Sequence, residues 1–277
     1  MVYAGSPILL TSLLYEPAHS LIDQSRRAHL GTQTTNGDGF GIGWYEPGVA
    51  EPALFRGIGP AWSDRNLREL AAHVRSGLFF AHVRASTGTA VQETNCHPFR
   101  YQRWLWMHNG SIAGFRELKR DLVLAIDPDL FPAIEGSTDS EVMFYLALTF
   151  GLRDDPVSAV ERMVGYVEAT ATDHGIADPM QMTVATSDGE RVWGFRYASA
   201  GKPRSLFYST DVATLIALHP DLPILRELSD ESRIIVSEPL GELAGAWNEA
   251  PESTYGIIQP GQDVIHRLRP QPPRPGH

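Results

Sequence analysis

Residues 181–197, QMTVATSDGERVWGFRY, read as a β-hairpin: two runs rich in β-branched and aromatic residues flank the turn signal Ser187-Asp188-Gly189. Similar short runs lie to either side of it. LFFAHVRAS (78–86) and RWLWMHNG (103–110) come before, and SLFYST (205–210), RIIVSEP (233–239) and TYGIIQPGQ (254–262) follow. Strands joined directly by turns, without regular alternation of strand and helix, point to mainly antiparallel sheets rather than a doubly wound parallel one.

Three helices are legible between these strands. SDRNLRELAAHVRSG (63–77) places Leu67, Leu70, Ala71 and Val74 on one face, with Ser63 as the expected cap and Gly77 as the stop. STDSEVMFYLALTFG (137–151) opens with the capping-box pair Thr138 and Glu141, then runs almost wholly apolar, so this helix is expected to be buried on most sides. The third, from Asp155-Pro156, repeats apolar residues at Val157, Val160, Val164 and Val167. The expected class is α+β, with helices layered outside two mainly antiparallel sheets. A single domain over residues 1–265 is expected, followed by a Pro-rich tail, 266–277, that is expected to be disordered.

Bulk properties narrow the function. A net charge of −10 without basic runs argues against nucleic acid and anionic membranes as partners. No apolar run reaches the roughly 18 to 20 residues that span a bilayer. A single cysteine excludes an internal disulfide and fits a reducing cytoplasm. The ten histidines show no H-x-x-x-H pair or other ligand spacing, so neither a metal nor a cofactor is expected.

Four stretches look chemical. NGDGFGIGWY (36–45) has glycines at 37, 39, 41 and 43, which let a ligand or another backbone approach closely. It is neither a dinucleotide fingerprint nor a P-loop. FFAHVRASTGTA (79–90) ends a strand in Arg84, a guanidinium suited to bidentate capture of a small carboxylate. WMHNGSI (106–112) carries a turn signal, yet the Asn109 amide beside the Gly110 N–H also forms a two-donor oxyanion hole. Its neighbour His108 reads as a core histidine. In GSTDSE (136–141), Asp139 sits at a helix N-terminus, where it either satisfies free N–H groups or faces a ligand ammonium. Together these groups suit a free α-amino acid cleaved at a side-chain carbonyl.

In that order, AHVRASTG (81–88), HNGSI (108–112) and STDSE (137–141) resemble the class II glutamine amidotransferases, which are N-terminal-nucleophile hydrolases. HSLIDQS (19–25) and TTNGDGFGIGWY (34–45) resemble shorter stand-alone members, among them the γ-glutamyl hydrolase of ergothioneine synthesis. The resemblance spans about residues 3–265. It implies a four-layer α/β/β/α sandwich, with Arg84 and Thr87 at the substrate α-carboxylate and Asp139 at the α-ammonium. Asn109 and Gly110 would stabilise the oxyanion. The implied substrate is glutamine or a γ-glutamyl amide, with a synthetase or other acceptor protein as a partner for released ammonia.

In this family the nucleophile is a cysteine at the mature N-terminus, its free α-amine acting as base. Here Val2 and Tyr3 follow Met1. The expectation is that a Met-Cys-Arg segment belongs a few residues upstream of VYAGSPILL (2–10), and that without it the chain is inactive. Cys96, within NCHPF (95–99), is a poor substitute: its nitrogen is an amide, and His97, adjacent along an extended chain, points the other way. The alternatives are a γ-glutamyl hydrolase of an ergothioneine-like pathway and a non-catalytic module that binds glutamine or glutamate.

Overall fold

The computed structural model describes residues 1–30, 34–86, 88–222, 225–226, 228–258 and 264–271. In chain order the first half contains β1 (Val2–Leu9), α1 (Thr11–Leu14), α2 (Leu21–Arg26), β2 (Phe40–Trp44), β3 (Ala53–Gly57), α3 (Arg65–His73), β4 (Arg75–Val83), β5 (Phe99–Tyr101) and β6 (Trp104–Ile112). Then come α4 (Phe115–Leu124), α5 (Asp139–Thr149), α6 (Pro156–Asp173), β7 (Met180–Ser187), β8 (Val192–Ala198), β9 (Phe207–Ser209), α7 (Val212–Leu218), β10 (Arg233–Val236), β11 (Trp247–Glu249), β12 (Thr254–Ile258) and β13 (Val264–Arg267). The strands form a seven-stranded sheet, ordered β11-β9-β10-β1-β4-β2-β3, and a six-stranded sheet, ordered β13-β12-β8-β7-β6-β5.

Every pairing is antiparallel, and the period-two alternation of each strand sorts its side chains into layers. In β1 and β4, Val2 and Phe80 pack between the sheets with Leu105 and Met107 of β6. Their neighbours Tyr3, Phe79 and Ala81 face outward onto a core shared with Leu13, Leu14, Ile22 and Leu67 of α1–α3. On the other side, Trp106 and Phe195 pack under α4–α6. The result is the four-layer α/β/β/α sandwich. Helix α5 lies between β6, α4 and α6, and its residues 140–148 are all buried, which accounts for an apolar pattern that runs round the whole helix.

Three local readings change. Helix α3 is capped by Asp64, whose carboxylate accepts from Leu67 N, rather than by Ser63; it ends at His73, and Gly77 lies inside β4. A carboxylate one residue nearer the helix takes the orphan N–H, and β4 claims the chain before Gly77. The tail boundary at 265 falls within β13. Residues 266–271 are ordered: Leu268 is buried, and the backbone N–H groups of Arg269 and Gln271 donate to Glu161 of α6. An apolar side chain and a buried carboxylate hold this part down despite its prolines. Residues 272–277 lie outside those described.

Glycines in and just before β2 serve close approach. A Cβ at Gly41 would collide with the His97 carbonyl, and one at Gly39 would meet the Cys96 thiol. The segment Cys96–Pro98 therefore crosses directly over β2.

Candidate active site

A cavity of about 890 Å³ opens between the two sheets, where β4 and β6 end. Arg84, Asn109, Gly110 and Asp139 all line it, although they come from three separate segments. Thr87, assigned to the same pocket by resemblance, lies outside the described residues.

Arg84 follows β4 and is buried at 5% exposure. Its guanidinium donates to the carbonyls of Asp38 (3.1 Å) and Ala90 (3.2 Å) and to the hydroxyls of Thr89 (2.6 Å) and Ser86 (3.3 Å). Among the described residues it has no ion pair. A buried cation held only by neutral acceptors is oriented yet still uncompensated, so an incoming carboxylate gains strongly there.

Asp139 opens α5, where the Thr138 hydroxyl accepts from Glu141 N as the capping pattern predicts. One Asp139 oxygen accepts from Ile112 N at 2.9 Å and the other from Ser140 N at 2.7 Å. The carboxylate thus satisfies N–H groups, as the first reading of this residue expects, and the residue also lines the cavity. The Ser140 hydroxyl lies 3.2 Å from Asp139 Oδ1 and 2.8 Å from His108 Nδ1. His108 is buried as expected, and among the described residues its Nε2 makes no well-formed hydrogen bond.

Asn109 shares the inter-sheet face of β6 with Leu105 and Met107, opposite Thr183. Its side-chain amide has no partner among the described residues, leaving its donors for a ligand. Gly110 has a φ of +152°, and a Cβ there would strike the Gln181 carbonyl, so no other residue fits. Cys96 is fully buried outside the cavity lining, with Sγ 3.6 Å from the carbonyls of Gly57 and Gln92. Burial pushes its thiol pKa up. A protonated, enclosed thiol is poorly suited to nucleophilic attack.

Other lining groups escaped the sequence reading because their contacts are long-range. The Met1 amine is buried at the cavity, donates to Ala81 O at 2.8 Å, and is lowered by burial to about 5. His82 and His97 also line it, with ring centroids 4.4 Å apart. Burial, then the Met1 amine, His108 and Arg84, lower His82 to about 3. His97 is also pushed well down, first by burial. At the roof, the Glu238 carboxylate accepts from His29 N and Leu30 N and pins the chain after α2 beside the cavity.

These histidines give a pH dependence. An imidazole that is neutral when folded at pH values where the unfolded chain binds a proton loses stability on acidification. The loss begins near 6.5 and continues down to about 3 for His82. Urea midpoints at pH 7 and 4.5 are expected to differ less in His82→Asn than in wild type; an unchanged difference would remove His82 as a cause.

No group of three or more His, Cys, Asp or Glu among the described residues is arranged to hold a metal, and no helix there is long and apolar enough to cross a membrane.

Residues 16–272 match the family described as glutamine amidotransferases class-II. The chain is 33% identical to "Probable glutamine amidotransferase DUG3" of Saccharomyces cerevisiae over 298 residues, covering 97% of this chain and 83% of the yeast protein. The structure of a glutamine aminotransferase class-II domain protein from Silicibacter pomeroyi superposes with a TM-score of 0.74 at 31% identity, covering 98% of both chains. The glutamine phosphoribosylpyrophosphate amidotransferase of Bacillus subtilis shares the fold, with a TM-score of 0.60 at 16% identity over 96% of this chain and 48% of that one.

Proposed function

The chain belongs to the class II glutamine amidotransferases, and on that basis we propose that its cavity cleaves the side-chain amide of glutamine or a γ-glutamyl amide through a cysteinyl thioester. The observation that carries this reading is the convergence of Arg84, Asn109, Gly110 and Asp139 on one cavity. Arg84 takes the α-carboxylate and Asp139 the α-ammonium, so the amide carbonyl extends toward Asn109 and Gly110.

The reaction calls for a thiol, and a residue preceding Met1 would be placed to supply it. Met1 and Ala81 exchange both backbone hydrogen bonds, continuing the register that sets Val2 opposite Phe80. Extended upstream, that register brings the next three positions opposite His82, Val83 and Arg84, all cavity-lining residues. A cysteine two or three positions ahead of Met1 would therefore stand beside the bound amide.

Its thiol attacks the carbonyl carbon while its α-amine takes the thiol proton. The Asn109 amide and the Gly110 N–H stabilise the tetrahedral oxyanion. Collapse breaks the C–N bond, and the protonated amine returns its proton to the departing ammonia or substituted amine. Water then attacks the thioester, giving glutamate and restoring the thiol. The net reaction consumes one water and releases one amine.

N-terminal sequencing of the protein from its native host, paired with assays of ammonia and glutamate release from L-glutamine, tests this. An N-terminal cysteine with both products released is the expected result. A second reading follows from the position of Cys96 outside the cavity: a chain starting at Met1 would bind glutamate and release no ammonia. Failure to bind glutamate or glutamine at all would overturn both readings.

A further inference from the structure

The stretch NCHPF (95–99) contributes no group to the chemistry above, yet its first residue is completely buried. Asn95 uses both ends of its amide. Nδ2 donates to Ala90 O at 2.9 Å and to Ser137 Oγ at 3.2 Å. Oδ1 accepts from Ser137 N at 2.8 Å and from Gln92 Nε2 at 3.4 Å. What singles Asn95 out is the position of these partners. Ala90 O is also an acceptor for the Arg84 guanidinium, and Ser137 stands two residues before Asp139. Gly136 lies so close that a Cβ there would come within 2.6 Å of Asn95 Oδ1, so the two loops have no slack between them.

Arg84 and Asp139 belong to different halves of the sandwich. Arg84 directly follows a strand of the seven-stranded sheet, and Asp139 begins a helix packed on the six-stranded one. An α-amino acid holds its carboxylate and ammonium on one carbon, so the groups that bind them need a fixed separation. We propose that Asn95 is a positioning residue that sets this separation, joining the carboxylate-binding and ammonium-binding halves through Ala90 and Ser137. This rests on the roles given above to Arg84 and Asp139.

A set of ligands separates this role from simple structural support. L-Glutamate carries both α-groups, glutarate lacks the ammonium, and 4-aminobutanoate lacks the α-carboxylate. A one-armed ligand can settle on either half whatever their spacing; L-glutamate needs both halves in register. Calorimetry for glutamate and NMR titration for the analogues are made on the full chain, wild type and Asn95→Ala, with circular dichroism confirming the fold. The expected result is that Asn95→Ala weakens L-glutamate by about tenfold more than either analogue, the size of coupling usual between groups in one network. Asn95→Asp keeps the acceptor for Ser137 N and loses the donor to Ala90 O. It is expected to shift the ratios in the same direction, and it decides the matter if the alanine variant does not fold. Equal weakening of all three ligands, or none, would overturn the proposal. A wild-type chain that binds none of them would instead overturn the assignment of the site, and this inference with it.

Discussion

Arg84→Ala is expected to weaken L-glutamate binding by about 2–5 kcal/mol, roughly 30- to 5,000-fold. The guanidinium is buried and, among the described residues, donates only to carbonyls and hydroxyls. Removing it leaves the ligand carboxylate in a desolvated pocket without its countercharge, while the carbonyls of Asp38 and Ala90 lose a donor. Both effects act in the same direction. Arg84→Lys is expected to recover only part of the loss, because an ammonium supplies charge without the planar fork that these acceptors and a carboxylate engage together. Calorimetric titration with L-glutamate measures this directly. Affinity within threefold of wild type in the alanine variant would remove Arg84 from the site.

Asn109→Ala is expected to act on rate rather than on binding. In the thiol-bearing enzyme, loss of one preorganised oxyanion donor lowers kcat by about 10²- to 10³-fold, or roughly 2.7–4 kcal/mol. Ground-state glutamate is held through Arg84 and Asp139, so its affinity should change little. The structure makes this contrast sharp, because the Asn109 amide has no partner to lose among the described residues. Single-turnover measurement of ammonia release, with glutamate titration alongside, separates the two quantities. A fall in kcat below threefold, or an equal fall in affinity, would place Asn109 outside the oxyanion hole.

Much of the architecture was legible because its signals are local. The turn at Ser187-Asp188-Gly189 joins β7 to β8, and the apolar run after Thr138 forms a helix buried all round. The order of the motifs around Arg84, Asn109 and Asp139 carried the family. A turn residue, a cap or a periodicity is decided within a few neighbours, so it survives in the linear chain.

Other features rest on pairings between distant residues. Nothing within MVYAGSPILL says that β1 runs through the middle of a sheet between β4 and β10, yet that pairing brings the Met1 amine to the cavity. The glycines at 39 and 41 announced a close approach without naming the partners, which are the Cys96 thiol and the His97 carbonyl. Asn95 carried no signal of its own in the sequence; its role rests on partners from the two halves of the sandwich, Ala90 and Ser137. By itself, then, the sequence determined the antiparallel α+β class, the buried helix and the chemical types in the site. Tertiary structure alone decided their distances, the enclosure of the histidines and the burial of Cys96 away from the cavity lining, because burial and strand pairing depend on segments far apart along the chain.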